Sequence, residues 1–100
     1  MVTKLIYNHF VKIDLQEINN WYIKIDKKLG DNFVKEFRYK INFIKENPLS
    51  CELKYDENRI VFFKKFPYGI HYYYNEERNL IEIYSVFHTS RNPEHWKDRK

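Results

Sequence analysis

Apolar positions along this chain recur first at intervals of two, then of three and four, then of two again. Lys4 to Asn8 alternates, Leu5 and Tyr7 against Lys4 and Ile6, and predicts a first strand. Helical spacing follows: Val11, Leu15, Ile18, Tyr22 and Ile25 form one apolar stripe, which Trp21 widens. Asp14 and Glu17 have capping-box spacing, so this helix starts at Asp14, or several residues earlier with Asn8 as its cap. Leu29-Gly30-Asp31 predicts a break. A second helix then carries Phe33, Phe37, Ile41 and Ile44 on one face, with Lys35, Glu36, Lys40, Lys45 and Glu46 off that row, and Asn47-Pro48 stops it. So short a connection predicts an antiparallel helix hairpin.

Residues 49–58 read as polar and irregular. Arg59 to Phe66 is the second predicted strand, turned by Pro67-Tyr68-Gly69. Ile70 to Asn75 is the third, with Ile70, Tyr72 and Tyr74 on one side and His71 and Tyr73 on the other. A polar turn at Asn75–Asn79 leads to the fourth, Leu80 to His88. Connections this short make the last three strands an antiparallel meander. The fold class is α+β: a strand, a helix hairpin, then three strands in one sheet. The hairpin is expected to cover one sheet face and leave the other free.

One hundred residues predict a single domain, and aromatic residues at 19% argue against disorder. Net charge +4 favours an acidic partner, either nucleic acid or an acidic protein segment. Cys51 is the one cysteine and cannot form an internal disulfide, which points to a reducing cytoplasm. The N-terminus lacks a signal-peptide apolar region, and no apolar run approaches the roughly 20 residues that cross a membrane. A cytoplasmic protein with no membrane partner is expected.

Candidate chemistry concentrates between His88 and Arg99, after the strongest strand signal. Imidazole titrates near neutrality, and arginine grips phosphate with two parallel hydrogen bonds. RNA cleavage without metal needs a base for the ribose 2′-hydroxyl, positive charge on the phosphate and an acid for the leaving oxygen. His88 fits acid or base, and Arg59 and Arg91 fit the phosphate. The meander is expected to bring Arg59, opening the second strand, to the end of the sheet where His88 closes the fourth. Other readings stand beside these. Arg59 pairs equally well with Asp56 or Glu57, Arg91 with tail carbonyls, and His88 with Tyr72 or Tyr84. His71 reads as structural. His9 and His95 lack metal-ligand spacing, so neither a metal nor a cofactor is implied. Cys51 has no evident base partner and is not a candidate nucleophile. Trp96 reads as a plug over the sheet or as a base-stacking ring.

The order of elements is similar to that of the RelE/ParE superfamily, the toxins of type II toxin–antitoxin modules. Phe66-Pro67-Tyr68-Gly69-Ile70-His71-Tyr72 matches the family's hairpin. Ile81-Glu82-Ile83-Tyr84-Ser85-Val86-Phe87-His88, then Arg91-Asn92-Pro93 and Trp96, match its last strand and tail. Trp21-Tyr22, Leu29-Gly30, Phe33, Phe37, Ile41, Ile44 and Asn47-Pro48 fall where the family places them. The resemblance implies a growth-inhibiting toxin, of the kind that stabilises plasmids, held by a cognate antitoxin whose C-terminal segment wraps it. RelE-like members cut mRNA in the ribosome, whereas ParE-like members poison DNA gyrase without catalysis. The sequence leans slightly to the endoribonuclease, with His88, Arg59 and Arg91 at the site and Lys54, Tyr84 and Trp96 as substrate contacts. A degenerate member that keeps only antitoxin binding is the third reading. One departure stands out: RelE-type ribonucleases carry a lysine pair before the second-strand arginine and a tyrosine in the tail. This chain offers Lys54 alone and Trp96.

Overall fold

The computed structural model describes residues 3–51, 53–55 and 58–89. Within them the chain forms β1 (Lys4–Tyr7), α1 (His9–Ile25), α2 (Lys27–Glu46), β2 (Leu53–Tyr55), β3 (Asn58–Phe62), β4 (Tyr68–Asn75) and β5 (Leu80–His88). The strands make one sheet in the order β1-β5-β4-β3-β2. β1 runs parallel to β5, and the other neighbours are antiparallel. The expected α+β architecture is present, with a mixed sheet and one strand more than the pattern showed. β2 was hidden because three residues are too few for a period to register.

Helix α1 begins at the earlier of the two expected starts. Asn8 is extended, and its side chain accepts from the Phe10 amide at 3.1 Å. Asp14 is therefore not a cap. It sits in the second turn, buried, and accepts from the Val86 amide of β5 at 3.1 Å. Strand pairing explains the need for it. β1 stops at Tyr7, opposite Ile83, so on that side the end of β5 has no neighbour among the described strands. A buried amide there requires an acceptor from elsewhere.

The hairpin does not turn at Leu29-Gly30-Asp31. It turns at Asp26 alone, whose amide closes α1 on the Tyr22 carbonyl (2.9 Å) and whose carboxylate opens α2 on the Lys28 amide (2.9 Å). Gly30 lies inside α2, where an added Cβ would stand 2.6 Å from Ile23 and 2.7 Å from Asn19. The glycine is a point of close helix approach rather than a stop.

Phe33, Phe37, Ile41 and Ile44 of α2 and Val11 and Ile18 of α1 pack on Val61, Phe63, Ile70, Tyr72, Ile81, Ile83 and Val86. Phe33 also meets Phe63 and Phe66 at centroid distances of 5.0 and 5.3 Å. Such ring pairs add to the burial of their area. β3 ends at Phe62, not Phe66, because the next residues bend back and bury Phe66. Glu36 of α2 pins this bend, accepting from the Lys64 amide at 2.6 Å and the Lys65 amide at 3.4 Å. The opposite face of the sheet is not free at its centre. Asn58, Ile60, His71, Ser85 and Phe87 are all buried there.

Candidate functional site

Strand register decides which candidates meet. Arg59 pairs with Tyr72, and Tyr72 pairs with Ile83. His88 pairs with Tyr68, five positions further along β5. β3 and β5 are parallel, so the start of one and the end of the other lie toward opposite ends of the sheet. At about 3.3 Å per residue along β4 from Tyr72 to Tyr68 and about 4.8 Å for each of the steps β3–β4 and β4–β5, their backbones are separated by roughly 16 Å. The expectation that the meander joins Arg59 to His88 fails for this reason. Arg59 is held locally, with Nη1 donating to the Cys51 carbonyl. Beside it the buried Tyr72 hydroxyl donates to the Pro48 carbonyl at 3.0 Å, and burial pushes that phenol well above its usual range. These bonds tie the loop after α2 to the sheet. Lys54 lies in β2, at the sheet edge. Arg91 and Trp96, and the alternative partners Asp56 and Glu57, fall outside the described residues.

His88 is exposed at the end of β5, with its ring edge-on to Tyr68 at 5.2 Å. Both line a cleft of about 280 Å³ between α1 and β5, together with Asp14, Glu17, Ile18 and Trp21. Among the described residues, the surroundings of this imidazole are thus aromatic and carboxylate. Capping-box spacing made Asp14 a cap; its place between Val11 and Ile18 of the apolar stripe was the signal that would have marked it as a buried polar contact. Nothing in the spacing tied it or Trp21 to the last strand.

Tyr84 is the extra residue of a β-bulge: His71 pairs with Ser85 but Tyr72 with Ile83. Its hydroxyl is pushed upward by burial first and then by Glu82 and Tyr73. Tyr84 therefore belongs with Tyr73 and Glu82, away from His88. His71, 1% exposed, packs edge-on against Phe87 at 5.1 Å, and burial lowers its pKa to about 3.

A second, larger groove of about 760 Å³ lies between α2 and the β3–β4 bend. Phe43, Val61, Cys51 and Tyr39 give it apolar walls, and Lys35, Lys40, Lys64 and Lys65 line it with positive charge. Among the described residues its one acid, Glu36, is already engaged by the two backbone amides. Among the described residues no group of three His, Cys, Asp or Glu side chains is placed to hold a metal. No described helix is long and apolar enough to cross a membrane.

This fold, a helix hairpin on a mixed sheet of five described strands, is shared with solved ParE- and RelE-type toxin structures. Residues 5–93 match the family model described as ParE toxin of type II toxin-antitoxin system, parDE, and the chain belongs to that family. Among solved structures it is similar to the chromosomal ParDE system of P. aeruginosa, at 12% identity and TM-score 0.76, covering 89% of this chain and 98% of that one. It is similar to the RelBE2 toxin-antitoxin complex of Mycobacterium tuberculosis, at 14% identity and TM-score 0.57, covering 91% and 95%. It is also similar to the isolated E. coli RelE toxin, at 14% identity and TM-score 0.65, covering 96% and 94%. No curated protein matches the sequence.

Proposed function

We propose that this toxin inhibits growth by binding a target protein, DNA gyrase in the ParE manner, rather than by cutting mRNA. The observation that carries this reading is the separation of two ribonuclease candidates, Arg59 and His88. Arg59 bonds to Cys51 on one part of the sheet, while His88 sits roughly 16 Å away in a cleft it shares with Asp14 and Glu17. Carboxylates beside the imidazole repel the phosphate that the chemistry would have to hold. The missing lysine pair and tail tyrosine point the same way. One observation favours the ribonuclease: His88 is exposed and lines an open cleft, so a substrate can reach it.

The cognate antitoxin is the second partner. An acidic amphipathic segment suits the lysine-lined groove beside α2, burying its apolar side chains on Phe43 and Val61.

Two assays with the same purified toxin separate the targets: gyrase supercoiling, and primer extension on mRNA in reconstituted translation. Loss of supercoiling by both wild type and His88→Ala, with mRNA left intact, is the expected result. Ribosome-dependent cuts that disappear in folded His88→Ala overturn the proposal and restore the ribonuclease.

A further inference from the structure

The β2 edge of the sheet carries a second inference, which rests on the antitoxin reading of the groove beside α2. β2 is three residues long and stands outermost in the sheet. Its register on β3 slips within those residues: Leu53 is partner to Arg59, but Tyr55 to Asn58. Such a slip disrupts the ladder locally. Leu53 is 57% exposed, so its side chain adds little burial. Opposite Tyr55, the Asn58 side chain is wholly buried, and neither its Oδ1 nor its Nδ2 has a hydrogen-bond partner among the described residues. A buried amide left unpaired is costly, and departure of the neighbouring strand opens a route for water to both atoms. The chain is tied to the sheet just ahead of β2, by Tyr72 on the Pro48 carbonyl and Arg59 on the Cys51 carbonyl. β3 is held independently through its pairing with β4. β2 therefore sits between two anchored points and makes few bonds of its own.

The edge beneath it is a template. The Phe63 amide donates to the Tyr68 carbonyl at 3.0 Å, so Phe63 and Val61 turn their backbone groups toward β4. Ile60 and Phe62 turn theirs to the β2 side, where no described strand pairs beyond Arg59. Phe62 is 49% exposed. Val61 and Cys51, at this same edge, also line the lysine-bearing groove. We propose that β2 is an exchangeable edge strand: it leaves β3, and an extended segment of the acidic antitoxin, continuing from the groove, adds to β3 in its place. Main-chain hydrogen bonds of an added strand supply affinity, and pockets for alternate side chains supply selectivity. With the rest of the antitoxin already seated in the groove, the strand binds as an intramolecular event at high effective concentration. A second copy of this chain is a poorer occupant, because each copy carries net charge +4.

The test pins the strand. Leu53→Cys with Arg59→Cys, in a Cys51→Ser background, puts two thiols on Cα partners of adjacent antiparallel strands. Partners of this kind stand about 4.5–5.5 Å apart, within the span of a disulfide. Binding of the cognate antitoxin is measured by interferometry on the oxidised and reduced forms of the same full chain, so the reduced form controls for the three substitutions. Oxidation is expected to weaken binding about ten-fold or more. Amide exchange on the free wild-type chain is expected to be at least ten-fold faster in β2 than in the central strands β4 and β5, and to slow in Asn58→Val, which removes the unpaired amide. Equal affinity of the two redox forms, or β2 amides as slow as the central ones or unchanged in Asn58→Val, overturns the exchange. Lys64→Glu with Lys65→Glu separates the two readings. Binding that falls with those lysines but ignores oxidation keeps the groove and removes the exchanged strand. Binding that ignores the lysines removes the groove and the exchange with it.

Discussion

His71 and Asp14 show how single buried polar residues set the behaviour of the fold. Burial holds the His71 pKa at about 3 in the folded chain, against an ordinary value of 6.5. The unfolded chain therefore binds a proton that the folded chain refuses between those values. Stability from this residue is complete above about pH 6.5 and is lost as pH falls toward 3, by up to a few kcal/mol. His71→Gln should flatten the acid limb of stability measured by urea unfolding across that window. An unchanged slope would mean another group governs it. Asp14 acts through geometry: it supplies the acceptor that β1, ending at Tyr7, does not provide to Val86. Asp14→Ala leaves a buried amide unpaired and should cost about 1–3 kcal/mol in urea unfolding, whereas Asp14→Asn keeps an acceptor and should cost less. Equal losses for the two variants would show that the hydrogen bond is not what the residue contributes.

At the scale of elements, the helix hairpin turns on what sits at the crossing. Gly30→Ala gains helix propensity of up to about 1 kcal/mol but forces Cβ against Ile23 and Asn19. Overpacking of this kind costs about 1–3 kcal/mol, so a net loss near 1 kcal/mol is expected in thermal or urea unfolding. A stabilised variant would mean that Ile23, which is partly exposed, moves aside. The same glycine shows where sequence reading ended. Both helices were legible because Val11–Ile18 and Phe33–Ile44 repeat at three and four over several turns. Their junction was not, because glycine is used at close packing as well as at helix ends, and Asp26 caps both helices with no local signal beyond its type. The strands β3, β4 and β5 were legible from alternation. The register between them was not, since it depends on the bulge at Tyr84 and the bend at Phe66. Arg59 and His88, each correctly placed on its own strand, were wrongly placed together for a different reason: β3 and β5 run parallel, which sends the start of one and the end of the other to opposite ends of the sheet.

At the scale of the whole molecule, positive charge gathers where the proposed antitoxin would dock. Lys35, Lys40, Lys64 and Lys65 line the groove beside α2, and the chain as a whole is positive. An acidic antitoxin approaching this surface is drawn in before contact, an effect that acts on the association rate and fades with salt. Lys64→Glu with Lys65→Glu reverses the field at the mouth of the groove. Glu36 bonds the backbone amides of these two residues, not their side chains, so the bend it holds should persist. Association with the cognate antitoxin, followed by interferometry, should slow about ten-fold at low salt and by much less at high salt. Dissociation should change little, because it depends on the apolar contacts at Phe43 and Val61. An association rate that ignores both the reversal and the salt would remove the antitoxin from this groove. A large change in dissociation alone would mean that the two lysines make close, desolvated contacts instead of steering the encounter.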